Sequence, residues 1–255
     1  MKLTSLIFAV AGLFSLLLPA HASDNYSLWP RRPDELEQAR RLMAENKGGE
    51  AVLLLQPFVA DEGVAGREAR LICGRVNIPR YLSRMHPGAT VYTVKRGDNI
   101  ARIASRQKCP QDVIMMLNGI VQPSALRVGQ KLVVIPMRLR VEIRPHLQEV
   151  SVWDDQQLVA AYPILSMDSV PQSRQKSATC SVSAREGYLG AQVVPQKSPQ
   201  YASSNRAVIL SNGMSLVATY GGLGTIRFRM NQKDLNELAM LVNCGNEVRI
   251  IYPNS

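Results

Sequence analysis

Groups able to do covalent chemistry are few and scattered in this chain. The four cysteines, Cys73, Cys109, Cys180 and Cys244, form no CxxC pair, and past the first two dozen residues only His86 and His146 offer an imidazole. Thiol acyl transfer needs a thiolate made by a neighbouring base or cation, and donors for the oxyanion. No Cys–His pair is adjacent in the sequence. So few histidines also disfavour a zinc site, and neither a metal nor another cofactor is expected. The stretch "GTIRFRMNQKDL", residues 224–235, reads as a Gly-led strand entering a helix capped by Asn231, with Asp234 three residues on. Its corner carries Arg227, Phe228, Arg229 and Met230. A guanidinium stays protonated and is no nucleophile.

The elements around these residues begin with a leader. Lys2, the apolar run "LIFAVAGLFSLLL" and the "AHA" ending at Ala22 read as a signal peptide over 1–22. The run is short for a membrane span and no later segment is apolar enough. The expectation is therefore an exported chain in the periplasm or cell envelope, with no transmembrane segment after cleavage. Export permits disulfides, and four cysteines allow three pairings; buried free thiols are an equal alternative. The formal net charge is +10. Much of the excess lies in residues 89–136, with seven basic side chains against Asp98 and Asp112. Such a patch favours anionic partners, and export argues against nucleic acid.

Residues 23–88 read as helical. "PDELEQARRLMAEN" has Pro33 at its start and Leu36, Ala39 and Leu42 at helical spacing. "KGG" breaks it, "EAVLLLQPFVA" is a second helix bent near Pro57, and "VAGREARLICGRV" a third. The arrangement resembles a tetratricopeptide (TPR-like) hairpin. One such unit cannot bury a core alone and has to pack on a neighbour.

Residues 89–136 read as strand, helix, helix, strand. "YTVKRGDNIARIA", "LNG" and "LRVGQKLVVIP" are the marks, and on them the segment resembles a LysM domain. That resemblance implies binding of N-acetylglucosamine-containing glycan, in bacteria chiefly peptidoglycan strands. It places the glycan groove between two loops, at Gly97, Asp98, Asn99 and Ile100 and at Asn118, Gly119, Ile120 and Val121. Glycine permits close backbone approach to a sugar. Asp98 and Asn99 equally suit the start of the first helix.

Residues 137–255 read as a mostly-β region with one late helix at about 232–242. "RLRVEI", "EVSVWDD", "LVAAYPIL", "RAVILS", "MSLVAT" and "EVRIIY" read as strands, and "SVPQSRQKSATCS" as a polar stretch. The whole is α+β and multi-domain. The opening hairpins and the closing "RMNQKDLNELAMLVNCGNEVRII" resemble an L,D-transpeptidase (YkuD-type) domain. The resemblance puts Arg227 in place of the nucleophilic Cys and Thr225 in place of its His; a two-residue shift gives Thr225 and Leu223. Its upstream Ile-His-Gly would fall near Leu216, Val217 and Ala218. Neither register restores a catalytic pair, so the resemblance implies a pseudoenzyme with no catalytic residues. It would bind peptidoglycan through the LysM segment and contact stem peptide or envelope proteins through the β region. The competing readings are a cell-wall enzyme with a relocated site, such as Cys180 served by His146, and a scaffold for proteins.

Overall fold

The long alternating segments after residue 137 build a closed β structure. In the computed structural model, which describes residues 34–171, 175–190, 192–194, 198–218 and 226–253, residues 33–255 make one compact unit. The first 33 residues, and with them the leader, lie outside the described residues. No helix among those described is long and apolar enough to cross a membrane.

Three helices come first: α1 (Asp34–Ala44), α2 (Gly48–Leu55) and α3 (Val64–Tyr81). Both glycines of "KGG" fall inside the first turn of α2 rather than in the break, which is confined to 45–47. Pro57 bends the chain as expected, into a 3-10 turn at Gln56–Phe58. Helix α3 outruns its apolar pattern and contains Pro79. A LysM-like unit follows, with β1 (Thr90–Thr93), α4 (Ile100–Gln107), α5 (Gln111–Leu117) and β2 (Lys131–Val134). Strands β1 and β2 pair antiparallel, Val91 opposite Val133. Ile100, Ile103, Val113, Ile114 and Leu117 of the two helices are buried in one core with Leu132 and Val134 of β2.

The remaining strands are β3 (Leu139–Arg144), β4 (Glu149–Asp154), β5 (Gln157–Met167), β6 (Ala178–Leu189), β7 (Gln192–Val194), β8 (Asn205–Leu210), β9 (Met214–Val217), β10 (Ile226–Met230) and β11 (Glu247–Ile250), with α6 (Gln232–Leu241) between the last two. Their order is β11-β3-β4-β5-β10-β9-β8-β6-β7, and β11 also pairs with β6. That extra pairing closes eight strands into a ring and leaves β7 as a short edge ribbon. Strand β6 achieves this by pairing Ala178–Ser181 with β11 and Val182–Tyr188 with β8. The polar stretch thus runs into the longest of the described strands. Strand alternation sends Val141, Ile143, Val150 and Val152 inward, to a core shared with Phe228, Met230 and the α6 residues Leu235 and Leu238.

On the opposite face of β3 and β4 stand Glu142, Arg144, Glu149, Ser151 and Trp153, all covered. The helices cover it, so the helical segment packs on the β region as its small core requires. Leu36, Leu55, Ala69 and Cys73 bury against Trp153, Leu158 and Ala161. Gly74 lets α3 touch β5: a Cβ there would stand 2.3 Å from the Ala161 nitrogen. Arg70 of α3 is wholly buried, donating from Nε and Nη2 to Glu149 at 2.7 and 2.9 Å and from Nη1 to the carbonyls of Val59 and Asp61.

Candidate functional site

Two regions hold the residues singled out by sequence. The first is the pair of loops in the β1–α4–α5–β2 unit. Gly97 has φ +83° and Gly119 φ +61°, with open space where a side chain would stand. Both turns need the left-handed backbone that glycine adopts without strain. Asp98 is engaged inside its own loop. It accepts hydrogen bonds from the Tyr92 hydroxyl at 2.7 Å and the Lys95 amide at 2.8 Å, and pairs with Arg106 at 3.4 Å. The Tyr92 hydroxyl, and then the Lys95 amide, hold its carboxyl below the ordinary value. Asn99 caps α4 by accepting from the Arg102 amide. The Ile100 side chain is buried in the core. These three side chains therefore shape the first loop, and the exposed groups there are the Gly97 backbone, Asn99, Lys95, Arg96 and Arg102.

The second loop is built differently. Asn118 donates to the carbonyls of Ile114 and Val133 and accepts from the Val133 amide, each at 2.8 Å, so it ties the end of α5 to β2. The chain then turns outward, leaving Ile120 half-buried and Val121 83% exposed. Asn118 to Gln122, with Ala125, Arg127 and Gln130, line a shallow groove of about 590 Å³. Gly97–Ile100 are not among its lining residues. The groove offers apolar faces at Ile120 and Val121 beside amides and one guanidinium, which is the kind of surface that takes a sugar. Arg127 and Gln130 complete it and were not singled out by sequence, since nothing in "ALRVGQK" marks which side chains turn towards the loop.

The second region is the corner at 224–235. Gly224 and Thr225, with Leu223, lie outside the described residues, as does the "TYGGL" loop. Arg227 does not stand at a corner. It sits inside β10, between buried Ile226 and Phe228, opposite Ser215 of β9. Its Nε and its backbone amide donate to Asp168 at 2.8 and 3.1 Å, and Arg229 Nη1 donates to the other carboxylate oxygen at 2.7 Å. The two guanidinium hydrogen bonds lower the Asp168 carboxyl to about 2. Asp168, at the end of β5, is the partner that sequence reasoning missed; only the fold brings β5 beside β10. Leu216 and Val217 are buried in β9. Asn231 caps α6 by accepting from the Lys233 amide at 2.9 Å.

The alternative thiol site gains no geometry. Cys180 lies in β6 opposite Val248, half-buried against the core, and burial raises its thiol. His146 lines a hollow of about 490 Å³ with Asp168, Ser169 and Tyr252, and Cys180 is not in that lining. Burial holds the His146 imidazole below its ordinary value. All four cysteines are free thiols, Cys73 and Cys109 buried and Cys244 exposed. Among the described residues no three His, Cys, Asp or Glu side chains gather as metal ligands. A larger hollow, about 730 Å³, lies between α2, α3 and the β4–β5 turn and shares no lining residue with either of the two smaller ones.

Two solved structures align with 49% of this chain at a TM-score of 0.32. One is L,D-transpeptidase 1 of Mycobacterium tuberculosis, 10% identical over 68% of its length. The other is an L,D-transpeptidase of Mycobacterium smegmatis, 15% identical over 65% of its length. At that score neither alignment bears on the residues above. The family comparison is narrower and firmer: residues 92–134, the part that forms the loops and groove, match the LysM domain.

Proposed function

We propose that this protein is an exported, non-catalytic component of the cell envelope that binds the N-acetylglucosamine-containing glycan of peptidoglycan through residues 89–136. The observation that carries the reading is the LysM match over 92–134, on a groove whose apolar faces are half-buried Ile120 and exposed Val121. Gly97, Asp98, Asn99 and Ile100 form the other glycan loop, with Asp98 and Asn99 setting its shape and backbone groups meeting the sugar. The exposed cations of the module suit an anionic polymer. The β region serves as a pseudo-transpeptidase, contacting stem peptide or envelope proteins. Its support is the chemistry of Arg227, a cation bound to Asp168 at the position that the transpeptidase resemblance gives to a nucleophile.

Co-sedimentation with purified peptidoglycan tests the binding. The full-length chain is expected in the pellet, and Val121→Asp is expected to leave most of it in the supernatant. Equal pelleting of both would refute the groove. Mass spectrometry of the muropeptides after incubation tests the rest. Unchanged crosslinking is expected; new crosslinks or cleavage, lost in Cys180→Ala, would overturn the non-catalytic reading.

A further inference from the structure

A second cavity lies where α4 and α5 meet the β region, and its chemistry is that of an anion site. It measures about 480 Å³ and is lined by Ser105, Lys108, Arg185, Asn243 and Cys244, among others. Arg185 comes from β6, and its side chain is only 5% exposed. Its Nη1 is fully used, donating to Asp112 of α5 at 2.9 Å and to the Ala239 carbonyl of α6 at 2.8 Å. The other edge of the guanidinium is not used. Nε is buried without a partner, and Nη2 makes no hydrogen bond among the described residues. A buried donor with no acceptor is costly. The Nε and Nη2 protons are parallel and match the two oxygens of a carboxylate. Lys108, exposed at the left-handed turn closing α4, adds a second cation to the wall. Asp112 neutralises only one of the two.

The cavity also has a defined position relative to the glycan groove. Gln111, the first residue of α5, lines the cavity, and Asn118, just past its last residue, lines the groove. The two are seven positions apart along the helix, a rise of about 10 Å. About three extended peptide residues span that distance.

We infer that the cavity is a carboxylate-binding subsite for a peptide carried by the bound glycan, with the Nε–Nη2 edge of Arg185 as the receptor and Lys108 as the supporting cation. The inference rests on the glycan reading for its ligand, but not for its chemistry. The wall then reads the peptide's acid while the groove reads the sugar, which makes peptide-bearing strands preferred over bare ones.

Three probes separate these claims on the full-length protein: a disaccharide without peptide, the same disaccharide carrying a peptide with a free terminal carboxylate, and its terminal amide. Calorimetry is expected to show the acid binding about tenfold more tightly than the amide. Arg185→Lys, which keeps the charge but not the fork, is expected to remove that difference. Lys108→Asn, at an exposed position whose backbone Asn tolerates, is expected to reduce it. Neither variant should alter affinity for the bare disaccharide. In parallel, the Arg185 Nε–H signal is followed by NMR during titration with the free peptide acid alone, and it is expected to shift and saturate. If the disaccharide binds but acid and amide are equal and the Nε–H signal is still, the subsite is refuted while the groove stands. If the peptide acid moves the signal and the disaccharide fails to bind, the groove reading fails and the subsite stands.

Discussion

Removing one half of the Arg70–Glu149 pair should cost the protein much of its stability. Both side chains have zero solvent exposure, and the guanidinium spends its hydrogen bonds on Glu149 and on two carbonyls of the turn before α3. In Glu149→Ala the cation keeps the two carbonyls and loses the carboxylate that Nε and Nη2 bind. Arg144, whose Nη1 stands 4.0 Å from the same carboxylate, then adds a like charge nearby. An uncompensated buried charge costs about 3–5 kcal/mol, against a total of roughly 5–15 kcal/mol for a domain. For a chain of this size that corresponds to a fall in Tm of about 6–20 °C. Urea unfolding followed by tryptophan fluorescence reads it directly, since Trp153 lies on the same face of β4. Replacing both partners, as Arg70→Met with Glu149→Leu, should recover part of the loss, because the apolar pair leaves no charge behind while the Val59 and Asp61 carbonyls lose their donor. The reasoning fails if Glu149→Ala costs under about 1 kcal/mol, the range of an exposed pair, or if the double variant is as unstable as the single.

Gly74→Val should loosen the helices from the β region, because its side chain would meet the Ala161 and Ala160 backbone; a loss of about 1–3 kcal/mol is expected from overpacking. Proton NMR of Asp168 should show a carboxyl midpoint near 2, moving up towards 3.8 in Arg227→Gln and further in the double variant with Arg229→Gln. Because the folded value lies below the ordinary one, the ion pair's contribution to stability is complete above about pH 4 and is lost as pH falls from 4 towards 2. A maleimide reagent should label exposed Cys244 first in the native protein, while Cys73 and Cys109, whose thiols burial pushes up to about 11, react only on unfolding. Asn118→Ala should destabilise the α5–β2 connection by about 1–3 kcal/mol and weaken glycan pelleting, since it removes the side-chain partners of the Val133 amide and carbonyl.

How much was legible in the sequence follows sequence separation. The β1–α4–α5–β2 unit spans 45 positions from Thr90 to Val134 and makes its contacts locally, so periodicity and glycine placement described it well. The short strands β3, β4 and β11 were legible because aliphatic residues recur at every second position along them, although β3 and β4 turn out to be buried on both faces, and β8 was legible as a short apolar run. Strand β6 was not. Its "ATCSVSAREGYL" mixes small and charged residues, and two different neighbours along its length bury different positions. The docking of the helices turned on Arg70 and Glu149, 79 positions apart, and no local pattern tells a buried arginine from a solvated one. The same holds for the site. Asn99 and Asn231 were readable as caps because a cap is a local device. Asp168, Arg127 and Arg185 were not, because what each does depends on which strand or loop arrives beside it.

The ring of strands has a consequence for how the chain must be made. Strand β11 lies between β3 and β6, parallel to one and antiparallel to the other, yet it is the last strand in the chain. A chain that emerges N-terminus first, from a ribosome or across a membrane, therefore leaves the β3 edge bare until more than a hundred further residues have followed. Until then the structure is an open ribbon with two adhesive margins. The final strand acts as a zipper pull, and a nascent chain stopped short of Glu247 has no way to close.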